Sequence, residues 1–178
     1  YPVVKIGTQY WMKKNLCAST YQDGTTLPQK TELGQGSGYF KPDGSDIYFY
    51  NGEALLAGKL NPLGWKIPSE DDWERLKNYV KDDTSLLKTG EWGVLTTGDA
   101  FPVNNYTQFS LESVGMWLSK AHYAYHKMSA FWSWDEINNQ IPDQTVFFTG
   151  EDQKFILNGS HITNGNYYKA LSIRCLKE

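Results

Sequence analysis

An α+β domain is the fold class this sequence predicts, and three observations carry it. The back third alternates short apolar runs with turn residues, as an antiparallel meander does. The front half holds two helix start signals, at Asn51 and Ser69. Strands grouped at one end and helices at the other separate α+β from the alternating α/β pattern. The 178 residues read as a single domain, 1–178, with no internal repeat.

Val3-Val4-Lys5-Ile6 is a short strand, Gly7-Thr8-Gln9 turns it, and Tyr10-Trp11-Met12 pairs back. Residues 20–46 are turn-rich. The run Gly34-Gln35-Gly36-Ser37-Gly38 follows no strand and opens no helix, so it reads as a surface loop rather than a phosphate cradle. Ile47-Tyr48-Phe49-Tyr50 is a compact apolar segment, and Asn51 caps a helix running from Glu53 to Ala57.

The most informative stretch is Gly64 to Leu76. Pro68 holds Ile67 extended, so a strand must end there. Ser69 is a good N-cap, and Asp72, three residues on, stands in for the acid of a capping box. Glu70, Asp71 and Asp72 meet the positive end of the helix dipole, worth about 0.3–1 kcal/mol each when exposed. That accounts for the carboxylates without invoking an active site. Trp73, Leu76 and Val80 form the buried stripe of the helix.

A long irregular region follows, from about residue 93 to 128, and a loop of that length inside a domain is usually functional. Ala130 to Trp134 and Thr145 to Thr149 read as strands. Lys154–Leu157 and Ser160–Thr163 read as a hairpin about the turn Asn158-Gly159. The last strand alternates Leu171, Ile173 and Cys175 against Ser172 and Arg174, one face in and one face out.

Composition narrows the function. Net charge is −3 with no Lys/Arg stripe, which argues against nucleic acid. No apolar run approaches the roughly 20 residues of a membrane span. The chain begins at Tyr1 without a signal peptide and reads as a mature or trimmed piece. Aromatic residues make up 15%, with many turns, as in loop-rich extracellular domains with a wide surface. Cys17 and Cys175 lie near the two ends. If the ends are neighbours, a disulfide closing a loop of about 160 residues would stabilise by about 5 kcal/mol. The alternative is a pair of buried free thiols.

Little in the chain points to catalysis or a cofactor. His122 and His126 have the i, i+4 spacing of a helical metal pair, but no Glu follows His122 and the flanking residues do not favour a helix. They and His161 read as polar loop residues, leaving no metal site. No nucleophile elbow or Cys–His arrangement appears. Asp135 and Glu136 point to opposite faces of an extended segment, against a paired-carboxylate role. The aromatics are the better lead. Tyr106, Trp117, Tyr123, Tyr125 and Trp134, with Asp135, fall in or near the irregular region. Aromatic faces beside Asn, Asp and Gln suit stacking on sugar rings or packing on a protein.

Four ordered motifs then carry a resemblance. They are Val4-x-Ile6-Gly7-Thr8-Gln9-x-Trp11-Met12-x-x-Asn15-Leu16, Gly64-Trp65-Lys66-Ile67-Pro68-Ser69-x-x-Asp72-Trp73-x-x-Leu76, Phe131-Trp132-Ser133 and Ser172-Ile173-Arg174-Cys175. Together they resemble the Fibrobacter succinogenes major paralogous domain family over residues 4 to 175. The resemblance implies a C-type-lectin-like fold in which first and last strands pair. It makes Trp11, Trp65, Pro68, Ser69, Trp73, Trp132 and Arg174 the structural framework. It strengthens the Cys17–Cys175 pairing, although Cys17 lies outside the family's motif. It also implies a secreted or outer-surface lipoprotein domain of a Bacteroidetes-like bacterium, part of a longer surface protein with a lipid anchor upstream. The Gly64–Leu76 corner is similar to that of formylglycine-generating enzymes, but no cysteine pair matches their catalytic pair, so their oxidase activity does not transfer. Ile141-Pro142-Asp143 keeps only two letters of a lectin calcium motif and follows Trp134-Asp135, where the lectin order would precede it. The expected function is non-enzymatic extracellular recognition of a glycan or protein through the long loop region. The second expectation is a structural or adhesive tip module of an assembly such as a pilus.

Overall fold

A computed structural model describes residues 1–134, 144–152, 154–159 and 169–177. It shows a mixed α/β fold of antiparallel sheets and two helices. Strands β1 (Val3–Ile6) and β2 (Gln9–Met12) form a hairpin that pairs Ile6 with Gln9 across a turn at Gly7, where φ is +59°. Strands β3 (Tyr39–Phe40) and β4 (Phe49–Asn51) lead into α1 (Gly52–Leu56). The Asn51 side chain caps α1 by accepting from the Ala54 N–H. Strand β5 (Trp65–Lys66) ends at the Pro68 corner, where α2 (Glu70–Tyr79) begins.

The corner forms as its residues dictate. Ser69 accepts from the Asp72 N–H and Asp72 accepts from the Ser69 N–H, a complete capping box. Asp72 is buried and also meets Lys66 Nζ at 2.7 Å and Arg75 at 3.3 Å. Burial acts to raise the Asp72 carboxyl, but the Lys66 contact and the Ser69 hydrogen bonds outweigh it and hold the group below its ordinary value. Trp73, Leu76 and Val80 are buried, as the helical spacing predicts.

A 3-10 turn (Thr84–Leu86) follows, then β6 (Met116–Leu118), β7 (Ala121–Tyr123), β8 (Met128–Trp132), β9 (Gln144–Thr149), β10 (Ile156–Gly159), β11 (Lys169–Leu171) and β12 (Leu176–Lys177). Three sheets result, in orders β1-β2-β12-β5, β10-β9-β8 and β3-β4-β11-β6-β7. One core gathers Met12, Tyr50, Leu55, Trp132, Leu171 and Ile173. A second packs α2 against Trp11, Phe109, Phe131 and Phe148. A third, smaller cluster holds Phe40, Phe49, Val114 and Ala170 with the flank of Trp117.

Several expectations are corrected. The terminal strands share a sheet but are not partners: β12 lies between β2 and β5, and β1 pairs with β2. The final alternating strand is two short strands. Between them Ser172 to Cys175 is buried on both sides, so Ser172 and Arg174 face the interior rather than water. Asn158 and Gly159 are not a hairpin turn. They continue β10 and pair with Thr145 and Gln144, and the chain reverses earlier, after Thr149. Part of the region at 93–128 is regular: β6 and β7 form a hairpin closed by Ser119-Lys120, with Ser119 at φ +55°. The glycine loop at 34–38 wraps the Lys30 side chain, whose Nζ donates to the Gln35 and Gly36 carbonyls. Asn51 holds it from the other side through Gly36 O and the Gly38 N–H.

The two cysteines are not bridged. The Leu16 N–H does bond the Ile173 carbonyl, so the two chain segments are adjacent. Their environments differ: Cys175 is buried in the first core, whereas Cys17 is exposed with its Sγ 3.7 Å from the Tyr1 hydroxyl. Burial pushes the Cys175 thiol up to about 12, leaving almost no nucleophilic thiolate at neutral pH. Native protein should therefore react with a thiol reagent at one cysteine only, and at the second after denaturation. Two fast-reacting thiols in native protein, or none, would contradict this arrangement.

Candidate functional site

Two segments of the long region and the one just before it meet at a cleft of about 250 Å³. Its walls are Thr89-Gly90-Glu91, Glu112-Ser113-Val114 and Tyr125-His126, with Ile47 beside them. Backbone bonds lace the walls together. The Thr89 N–H donates to the Leu111 carbonyl, the His126 N–H to the Ser113 carbonyl and the Gly93 N–H to the His126 carbonyl. The buried Ser113 hydroxyl donates to the Glu91 carbonyl.

Each wall is anchored in the interior. Lys88, next to Thr89, is buried and its Nζ donates to the Thr149 carbonyl at 2.7 Å and the Asp152 carbonyl at 2.8 Å, under the Trp92 ring. Burial pushes its amine down to about 8, partly offset by Asp152 and Asp83. The Ser129 hydroxyl accepts from the Val114 N–H and donates to the Glu112 carbonyl. Gly115 has φ +73°, and a Cβ there would sit 2.2 Å from the Tyr123 carbonyl, so this close approach of two backbones requires glycine.

A row of rings leads from the interior to the mouth of the cleft. Buried Phe49 lies 5.3 Å from His122, His122 lies 5.1 Å from Tyr125, and Tyr125 lies 3.8 Å from His126, between ring centroids. The His122 Nε2–H donates to the Val114 carbonyl at 2.6 Å, which fixes that ring in the middle of the row. Tyr125, between His122 and His126 in the row, is 48% exposed. Glu91 stands near it, its carboxylate 3.8 Å from His126 Nδ1. The backbone bends sharply here: Ala124 and His126 both have positive φ, at +56° and +60°. Such residues cost about 1–3 kcal/mol each and persist where surrounding contacts hold them.

Of the residues singled out in the sequence, Tyr125 lines the cleft, and Tyr123, on the open edge of β7, is also exposed. Tyr106 is exposed on a separate bend at 105–110 and does not line it. Trp117 is drawn into the third cluster against Phe40, 5.7 Å between rings. Trp134 is half-buried against the first core, and its N–H donates to the Pro68 carbonyl. Asp135, Glu136, Ile141-Pro142-Asp143 and His161 lie outside the described residues. In the framework, Trp11, Pro68, Trp73, Trp132 and Arg174 are buried, Ser69 caps α2, and Trp65 is only half-buried on the edge strand β5. His122 and His126 sit on and after a strand rather than on one helix face, and among the described residues no cluster of three metal-ligating side chains occurs. Glu91, Glu112 and Ser113 were not visible as site residues. Their only sequence signal is that they fall within or beside the irregular region.

The fold and its cleft define a mixed α/β domain whose surface cleft has an open aromatic end and acidic walls. The family model for the Fibrobacter succinogenes major domain matches residues 4–177, and the chain belongs to that family. No curated protein and no solved structure matches the chain. No helix among the described residues is long and apolar enough to cross a membrane.

Proposed function

We propose that this chain is a non-enzymatic recognition domain of C-type-lectin-like architecture in a bacterial surface or secreted protein, and that the cleft at Tyr125 is its ligand site. The observation that carries this reading is a half-exposed tyrosine at the mouth of a walled cleft, with carboxylates beside it. A sugar ring needs an aromatic platform for its apolar face and acceptors for its hydroxyls. The groups present suit holding a ligand rather than attacking one: the Ser113 hydroxyl is buried and already donates to the Glu91 carbonyl. A glycan array tests the reading. Wild-type protein should bind a defined set of glycans, and Tyr125→Ala should weaken that binding by about tenfold or more, the scale of one aromatic contact. Unchanged binding by Tyr125→Ala would place the ligand elsewhere.

An adhesive or assembly module is the second reading. It is favoured by the outer edge of β1, which no described strand pairs, and by the exposed Val3 on it and Tyr10 on the neighbouring strand. Such an edge can accept a strand from another protein. A blank glycan array together with capture of a surface-assembly subunit would support that role instead.

A further inference from the structure

We propose that the cleft selects a cationic sugar, a hexosamine whose amino group is free rather than acetylated. The inference rests on the reading of the cleft as a ligand site and adds the charge of the ligand to it. Glu91 and Glu112 stand on two of the three walls, and among the described residues the lining holds His126 but no lysine or arginine. Both glutamates are exposed at the surface, and the Glu91 side chain is 84% accessible. Arg174 acts on Glu112 through space. That guanidinium is buried and directs its N–H groups to Asn15 and to the carbonyls of Met12, Phe109 and Ser110. Its N–H groups are thus directed to groups other than Glu112, while the Glu91 carboxylate has the His126 ring as its neighbour in the cleft, 3.8 Å away.

The remaining lining narrows the ligand further. Tyr125, half-exposed between the His122 and His126 rings, offers aromatic surface that attracts both the C–H face of a sugar and an ammonium group. A volume of about 250 Å³ is below the usual span of drug-sized pockets and matches one ring rather than a long segment. Uronic and sialic acids would place a carboxylate against Glu91 and Glu112 and be repelled. An ammonium on the ring meets those two carboxylates while the ring rests on Tyr125.

Titration calorimetry at low and moderate salt with three trimers separates the possibilities: β-1,4-linked glucosamine, its fully N-acetylated form and the matching glucose trimer. The glucosamine trimer should bind about tenfold tighter than either of the others. Combining Glu91→Gln with Glu112→Gln should erase that preference, and both side chains are exposed enough for the fold to survive. Glu70→Gln, which removes an equal charge on α2 outside the cleft, should leave it intact. Equal binding of all three trimers, lost in Tyr125→Ala, would overturn the cationic assignment and leave the recognition site standing. A preference that survives the double variant, or falls equally with Glu70→Gln, would mean diffuse charge attraction and overturn it too. A trimethyl-lysine peptide that binds through the same two glutamates, with no sugar binding, would overturn the sugar assignment in favour of a protein ligand. Absence of binding by every probe would overturn both this inference and the ligand site.

Discussion

Replacing Arg174 with methionine should lower the unfolding free energy by about 3–5 kcal/mol, the usual consequence of breaking up a buried charged network. Arg174 is 2% exposed. Its Nε–H donates to Asn15 at 2.8 Å, and its terminal nitrogens donate to the carbonyls of Phe109 at 2.7 Å, Met12 at 3.3 Å and Ser110 at 3.5 Å. The guanidinium carbon lies 4.7 Å from the Phe109 ring centre. Burial pushes the group down to about 9, still above neutral pH, so the cation is retained inside the fold. Methionine keeps much of the volume but leaves three carbonyls and an amide without this donor. Those carbonyls belong to the end of β2 and to the bend at 105–110, where Asn105, Gln108 and Ser110 all have positive φ. The bend leads directly to Glu112, so the variant should also weaken ligand binding at the cleft. Arg174→Lys keeps the charge without the planar fork and should fall between the two. Urea denaturation followed by tryptophan fluorescence measures the effect. A loss under about 1 kcal/mol in Arg174→Met would show that the backbone does not depend on this donor.

Much of the fold was legible because its signals are local. A proline, the serine next to it and an aspartate three residues on from the serine fix the start of α2, whatever the rest of the chain does. The β1–β2 hairpin needs only a glycine turn between two apolar runs. The C-terminal end misled because alternation was read as one wet face and one dry face. Both faces are covered here, and a strand buried on both sides carries polar residues only where something bonds them. Arg174 is such a residue, and its partners lie about 65 and 160 residues away, beyond any local pattern. Asn158-Gly159 misled for a related reason. A turn-prone dipeptide states what the backbone tolerates, while the pairing with Thr145 and Gln144 decides what it does.

The candidate site was less legible. Exposed aromatics could be named, but not their fate: Trp117 and Trp134 join packing clusters, while Tyr125 stays open. Nothing in the spacing of Glu91, Glu112 and Tyr125 links them. They meet because the segments around them bond backbone to backbone, Thr89 to Leu111 and His126 to Ser113. The cysteine pair shows the same limit from the other direction. Adjacent chain segments were a sound expectation, but a disulfide also needs side chains that face each other, and Cys175 turns into the core.

Trp73→Ala should cost about 3–5 kcal/mol, as truncation of a buried aromatic does. Trp73 has no exposed surface and lies 4.9 Å from Trp11, 5.6 Å from Phe131 and 6.2 Å from Phe148, between ring centres. It thus joins α2 to β2, β8 and β9 in one contact set, with Leu76 of the same helix in the cluster beside it. Its indole N–H has no hydrogen-bond partner among the described residues. Packing rather than polarity therefore makes it essential. Trp73→Phe, which keeps most of the ring and discards only that unused donor, should cost well under half as much as the alanine variant. If the two variants were equally destabilised, the indole nitrogen would be the important atom. If Trp73→Ala lost less than about 1 kcal/mol, the helix would be held by its capping box and the Asp72–Lys66 pair instead. The three outcomes separate because the cap and ion pair sit at the start of α2, whereas the aromatic contacts hold the face of the helix turned to the core.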